Sequence, residues 1–128
     1  YSYYDKKRKV DLFSKLFLNY KNAIAIATTG LGVKSEGHMV VSGTNGYIYV
    51  PAPWWKTEYF EVRYENSNDN RKYFYKFDGD GLRYELAEFV KMINGNQLET
   101  YKVTNEESIF IIEIIEKFLS GKDDNIIE

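Results

Sequence analysis

The sequence contains no cysteine, a single histidine, two prolines and no long apolar run. Without cysteine the chain cannot form disulfides, thiolate nucleophiles or cysteine-ligated metal sites. One histidine leaves hydrolytic triads and histidine-rich metal sites short of residues. The apolar stretches, such as Ile109 to Ile112, are far shorter than the roughly 20 residues of a membrane-spanning helix. We therefore expect a soluble, cytoplasmic protein that has no membrane partner.

The charges of the chain nearly cancel. Seventeen basic and nineteen acidic residues give a formal net charge of -2, so no global positive field draws the protein to nucleic acid. The basic run Lys6-Lys7-Arg8-Lys9 is interpreted as a solvated connector. A length of 128 residues predicts a single domain spanning residues 1–128.

Aromatic residues are abundant, with twelve Tyr, eight Phe and two Trp. Aromatic and β-branched side chains favour half-buried pleated surfaces, which predicts a sheet-rich fold. A carbohydrate-stacking surface is the alternative interpretation, because flat rings also pack on sugars.

Alternating apolar and polar residues predict three β-hairpins: residues 11–20 with 23–28, 38–42 with 47–50, and 59–65 with 71–77. In the first, a two-residue turn places Phe17 opposite Ile26 and Leu18 opposite Ala25. Large residues then oppose each other on the Phe17 face, which we expect to be the more densely packed.

The other two hairpins have distinct turn signals. Asn45-Gly46 is among the strongest hairpin signals and connects the second pair. A symmetric register in the third pair places Glu65 opposite Arg71 and Arg63 opposite Tyr73.

Two helices follow the strands. Apolar residues at intervals of three and four predict a helix between Asp80 and Gly95. A capping box at Thr104 and Glu107 introduces a second helix, Ser108 to Ser120, which Gly121 ends. Apolar residues surround most of this last helix, so we expect a neighbouring domain or a second copy to cover it.

This order of elements predicts an α+β fold. We expect an open, largely antiparallel (mixed) sheet of six or seven strands, with the two main helices packed on one face. The tail after Lys122 gives no clear pattern.

Trp54, Trp55 and Lys56 form the candidate site. Pro51 and Pro53 end the preceding strand, since proline cannot donate to a strand ladder, and leave the three residues in an irregular segment. One indole could cap the core while the other is half exposed, or the pair could serve as a ligand platform or a partner contact. The single histidine, His38, is interpreted as a surface or edge-strand residue.

Several motifs, in this order, resemble the C-terminal domain of Gfo/Idh/MocA oxidoreductases. They are Asp11-Leu12-Phe13 followed by Leu18-Asn19-Tyr20-Lys21-Asn22-Ala23, the hairpin Val41-Ser42-Gly43-Thr44-Asn45-Gly46-Tyr47-Ile48, the helix Arg83-Tyr84-Glu85-Leu86 with Phe89 and Ile93-Asn94-Gly95, and a final helix from Glu107-Ser108. The resemblance covers nearly the whole chain.

The resemblance implies a role in a larger enzyme. In that family an N-terminal Rossmann domain binds NAD or NADP, and the C-terminal domain lines the substrate site and often associates through its sheet. The chemistry is hydride transfer to or from a sugar, cyclitol or related hydroxyl compound.

The family's cofactor loop, its Glu-Lys-Pro motif and its Asp and His pair have no counterpart here. The resemblance therefore implies a fragment that is inert alone, with no catalytic, cofactor-binding or metal-ligating residue of its own. Its expected partners are the parent Rossmann domain, a second copy through the sheet face, and a polyol or sugar.

Trp54, Trp55 and Lys56 would then form part of the substrate wall, because they combine flat apolar surface with a donor for hydroxyls. Two alternatives remain, a stand-alone carbohydrate-binding module and a purely structural dimerisation domain.

Overall fold

The computed structural model describes residues 1–120. Within them the strands are β1 (Ser2–Asp5), β2 (Val10–Tyr20), β3 (Ala23–Thr29), β4 (Met39–Ser42), β5 (Gly46–Val50), β6 (Tyr59–Tyr64) and β7 (Arg71–Phe74), and the α-helices are α1 (Gly81–Asn94) and α2 (Asn105–Leu119). The predicted stop at Gly121 and the tail lie outside the described residues. The α+β class with antiparallel strands is confirmed.

The chain divides into two compact units. Among the described residues, one unit contains Tyr1–Thr29 together with residues 80–120, and the other is the continuous segment Gly30–Gly79. The strands accordingly form two sheets, β1-β2-β3 in the first unit and β4-β5-β6-β7 in the second, where the sequence predicts one. The expectation of a single domain stays a prediction.

The first sheet is organised around β2, its central and longest strand. The predicted pairs of Phe17 with Ile26 and of Leu18 with Ala25 are confirmed. The pairs follow from the two-residue turn, because the length of the turn fixes which residues of the two strands face each other. The expected packing is wrong. Phe17 is 54% and Ile26 56% exposed, whereas Leu16 and Leu18 on the opposite face are half-buried.

The basic run Lys6 to Lys9 connects β1 and β2 as an exposed turn. The Asp5 carboxylate accepts hydrogen bonds from the backbone N–H of Lys7 at 2.8 Å and of Arg8 at 3.1 Å. These bonds satisfy backbone donors of the turn and stabilise β1, a strand that the sequence analysis missed.

A short chain of hydrogen bonds lies inside the first sheet. Ser14, 1% exposed, donates to the Asp11 carboxylate at 2.8 Å and lies 3.1 Å from the hydroxyl of Ser2. The buried hydroxyl is therefore satisfied, as burial of a polar group requires.

α1 begins directly after Asp80, although the Asp80 side chain makes no capping hydrogen bond, and α2 begins at Asn105, three residues before the predicted Ser108. Thr104 accepts from the Glu107 N–H at 3.2 Å, and the Glu107 carboxylate accepts from the Thr104 N–H at 2.8 Å, so the capping box is confirmed and the helix begins at Asn105. Neither helix buries a side chain, and Leu82 and Ile109 are each 61% exposed. The helices thus do not bury an apolar stripe against a sheet, in contrast to the predicted packing on one face.

Among residues 1–120, no helix has both the length and the apolar content of a bilayer-crossing segment.

The second sheet has two chemically different faces. The register places Ile48, Val50, Phe60, Val62 and Tyr73 on one face. Among the apolar residues of the described chain, Val50 is the buried one, with 6% exposure, so the small core of this unit lies on that face. The other face carries tyrosines and charged residues.

The predicted register of the third hairpin is wrong. Arg71 lies opposite Val62 instead of Glu65, and Tyr73 lies opposite Phe60 instead of Arg63. The loop is the cause, since the side chain of Asn70 accepts the hydrogen bond of the Tyr64 N–H at 2.8 Å. The Asn70 side chain thereby accepts the hydrogen bond that a backbone carbonyl of β7 would otherwise accept, and the loop is longer as a result. The loop contains a 3₁₀ turn at Ser67–Asp69.

Candidate functional site

Trp54, Trp55 and Lys56 form one 3₁₀ turn between β5 and β6. The backbone N–H of Trp54 donates to the carbonyl of Gly37 at 2.8 Å, and that of Lys56 donates to Pro53 at 2.9 Å. These bonds hold the turn against the segment before β4. The irregular segment predicted after Pro53 is therefore a short, hydrogen-bonded element.

The two indoles are perpendicular and half exposed. Their ring centroids lie 6.0 Å apart at an interplanar angle of 89°, an edge-to-face geometry that aromatic pairs favour. Trp54 is 49% and Trp55 57% exposed, so neither ring caps a core.

Gly37 supports this arrangement by its lack of a side chain. A Cβ on Gly37 would lie 3.1 Å from Cζ3 of Trp55, which is tighter than ordinary van der Waals contact. The Trp55 indole therefore rests on the backbone of Gly37.

We call Trp54, Trp55 and Lys56 the tryptophan turn. It presents two flat apolar surfaces at a right angle, the indole N–H donors of both rings, and an exposed lysine at its end. Such a corner suits a ligand with an apolar ring face and several hydroxyls, because stacking and hydrogen bonding can act together.

A second cluster lies on the polar face of the second sheet, which we call the basic–aromatic face. It consists of Tyr47, Tyr49, Tyr59, Glu61, Arg63, Lys72 and Phe74. The Glu61 carboxylate accepts from Arg63 Nε at 2.7 Å and contacts Arg63 Nη2 at 2.6 Å, and Lys72 Nζ lies 3.5 Å from it. One carboxylate thus joins two cations.

Aromatic rings flank both cations of this face. The Arg63 guanidinium lies 4.6 Å from the ring centroid of Tyr49, and its Nη1 donates to the Tyr47 hydroxyl at 3.3 Å. Lys72 Nζ lies 3.4 Å from the ring centroid of Tyr59 and 5.4 Å from that of Phe74. These distances are those of cation–π interactions.

These contacts shift the pKa values of Glu61 and Arg63. The hydrogen bond from Arg63 holds the pKa of Glu61 below its usual value, and the charges of Arg63 and Lys72 act in the same direction. Hydrogen bonds to Tyr47 and Glu61 raise the pKa of Arg63. Glu61 and Arg63 are therefore both ionised at neutral pH, and with the formal charge of Lys72 the face has two basic residues to one acidic residue.

Sequence reasoning missed the basic–aromatic face because it placed Arg63 opposite Tyr73. The signal was available in the alternation Tyr59-x-Glu61-x-Arg63 and in Lys72-x-Phe74. A period of two puts each set on one face, but the two sets meet only in the observed register.

In the first unit, α1 and the segment after it form an open groove of about 380 Å³. Its lining includes Tyr84, Phe89, Met92 and Val103. The Glu88 carboxylate accepts from the Thr100 hydroxyl at 2.9 Å and pairs with Lys102 Nζ at 2.9 Å. Lys102 and Thr100 hold the pKa of Glu88 below its usual value. The contacts fix the segment that follows α1.

The other predicted residues fall as follows. His38 is exposed just before β4, where its Nδ1 lies 3.9 Å from the Glu36 carboxylate. Residues 1–120 contain no group of three His, Cys, Asp or Glu side chains arranged to hold a metal ion.

Comparisons of the chain with protein families, with curated proteins and with solved structures found no significant match.

Proposed function

We propose that this chain is the substrate-side and oligomerising domain of a larger NAD(P)-dependent oxidoreductase that acts on a sugar, cyclitol or related hydroxyl compound. The observation that carries the proposal is the tryptophan turn, where two half-exposed indoles meet at a right angle beside an exposed lysine. Ring faces of a polyol pack on indoles, and its hydroxyls accept from N–H groups.

The resemblance to Gfo/Idh/MocA C-terminal domains supplies the reaction class. An α+β fold of antiparallel strands, a hairpin at Asn45-Gly46 and two helices after the strands accord with it. NAD or NADP would bind to the parent's Rossmann domain. The proton-transfer residues would also belong to the part of the parent that precedes this chain.

The exposed helices support membership of a larger assembly. Leu82, Leu86 and Phe89 on α1 are exposed by more than half, as are Ile109 and Ile112 on α2. Apolar surfaces of this kind mark contacts with other protein.

The test uses the full-length parent enzyme. Trp54→Ala and Trp55→Ala should each raise the KM for the polyol at least about tenfold, since each removes a stacking surface. The affinity for NAD(P)H should stay unchanged. Tyr75→Ala is the matched control, because Tyr75 is also an exposed aromatic residue of the same unit, 63% exposed.

A twofold or smaller change in KM for both tryptophan variants would contradict the substrate role. A parent chain without a Gly-x-Gly-x-x-Gly strand-to-helix turn would contradict the oxidoreductase assignment.

The second candidate is a carbohydrate-binding module, which the same tryptophan turn favours. It predicts saturable binding of mono- or oligosaccharides by the isolated chain, measured by isothermal titration calorimetry. The oxidoreductase proposal predicts no such binding without the Rossmann domain, because one turn supplies only part of a substrate site.

A further inference from the structure

The outer edge of β3 lacks the features that natural proteins use to protect sheet edges. Its seven residues, Ala23 to Thr29, include no charged residue and no proline. Every residue of β3 is exposed, Ile24 by 71% and Ile26 by 56%. An edge of this kind pairs readily with another strand.

The other sheet edges of the described chain are protected. β1 is four residues long, ends in Asp5 and has an irregular register between Tyr3 and Tyr4. β7 carries Arg71 and Lys72, and β4 is only four residues long. Short strands, charges and bulges all oppose pairing, so β3 alone remains a long, uncharged edge.

The backbone groups of β3 alternate in direction. Tyr20 pairs with Ala23 across the two-residue turn, and the pair next to such a turn exchanges both of its hydrogen bonds. Ala23, Ala25, Ala27 and Thr29 therefore bond to β2. Ile24, Ile26 and Thr28 direct their N–H and C=O groups outward.

The sequence of β3 is suited to antiparallel pairing with a second copy of itself. An antiparallel second copy centred on Ile26 places Ile26 opposite the partner's Ile26, and Ile24 opposite the partner's Thr28. These are the residues whose backbone groups point outward, so the two strands can exchange hydrogen bonds at each of them.

The same arrangement extends one apolar row across the pair. Phe17 lies beside Ile26 on β2 and β3, and both side chains are about half exposed. Pairing joins them to the partner's Ile26 and the partner's Phe17 on the same face, which removes apolar surface from water.

We infer that two copies of this chain associate by antiparallel pairing of β3 with β3, which makes one six-stranded sheet. Because the contact is isologous, it closes with two copies, and the protected β1 edges lie at the ends. The inference specifies the oligomeric contact of the proposed function, and it holds whatever ligand the tryptophan turn binds.

The register is tested by cysteine cross-linking, which the absence of native cysteine makes clean. In Ile26→Cys the two Cα atoms would be about 5.5 Å apart, within the range of roughly 4.4–6.8 Å that a disulfide spans. In the control Ile24→Cys they would be about 14 Å apart. Mild oxidation followed by non-reducing electrophoresis should convert the first variant to a covalent dimer and leave the second monomeric. Equal cross-linking of both variants, or of neither, would overturn the inference.

The surface is tested by sedimentation equilibrium. The wild-type chain should show twice its mass of 15.1 kDa. Ile26→Lys should raise the dimer Kd at least tenfold, because it brings like charges together at the two-fold axis. Val33→Lys in the loop between β3 and β4 is the control, since Val33 has a similar exposure of 47%, and it should leave the Kd unchanged.

A monomeric wild-type chain, or loss of the dimer in Val33→Lys but not in Ile26→Lys, would refute β3 pairing. Neither result bears on the KM test of the tryptophan turn.

Discussion

Replacement of Gly46 by alanine should destabilise the unit Gly30–Gly79. A Cβ at Gly46 would lie 2.5 Å from the carbonyl oxygen of Arg63 and 3.2 Å from Cδ1 of Tyr64. Cβ atoms do not approach such neighbours closer than 3.0 Å, so β5 and β6 must separate by half an ångström or more. The nearest neighbour is backbone that is fixed by the strand ladder and cannot rotate away.

The expected cost is that of overpacking a well-packed site, about 1–3 kcal/mol. With a urea m-value of about 1–2 kcal/mol/M for a small unit, a loss of about 2 kcal/mol lowers the unfolding midpoint by roughly 1–2 M. Tryptophan fluorescence is a direct assay, since both tryptophans of the chain lie in this unit.

Gly43→Ala in the same hairpin is the matched control. A Cβ on Gly43 meets its nearest neighbour, the Gly46 carbonyl oxygen, at an ordinary 3.5 Å. This variant should unfold at the wild-type midpoint or slightly above it, because alanine restricts the unfolded chain. Equal midpoints for the two variants would refute the argument from the close approach of β5 and β6.

Two further predictions concern charge and capping. Because the folded pKa of Glu61 lies below 4.5, its ionised form stabilises the fold above that pH, and this contribution is lost as the pH falls through the folded pKa. Glu61→Gln should therefore lower the urea midpoint at about pH 7 and have a smaller effect at about pH 3. An effect equal at both pH values would contradict the ion-pair explanation. Thr104→Ala removes the acceptor of the α2 capping box and should cost about 1 kcal/mol, measured as lost helical circular dichroism on urea titration. Thr104→Ser should retain most of the stability, and a loss as large as that of the alanine variant would show that the hydroxyl is not the stabilising group.

Local chemistry determined what could be predicted from the sequence. The β2–β3 register followed from the turn at Lys21-Asn22, and the capping box of α2 followed from Thr104 and Glu107, because both depend on residues a few positions apart. The β6–β7 register failed because the side chain of Asn70 replaces a backbone partner of Tyr64. A side-chain substitution of that kind leaves no trace in hydrophobic periodicity.

The same difference between local and long-range information applies to the candidate site. Pro51 and Pro53 predicted the irregular segment of the tryptophan turn, since proline terminates a ladder. The basic–aromatic face needed the alignment of three strands and was not accessible from any one of them. The division into two sheets depends on which strands meet in space, and the alternation within single strands carries no information on it.

The order of the two units along the chain affects synthesis on the ribosome. Gly30–Gly79 is continuous, so all of its strand partners have emerged once residue 79 leaves the exit tunnel, and its hairpins can pair at once. The other unit is interrupted, because its sheet strands are made first and its helices only after fifty intervening residues. The exposed edge of β3 is therefore complete before the central segment is made, and neighbouring nascent chains on one message then have the opportunity to pair through it.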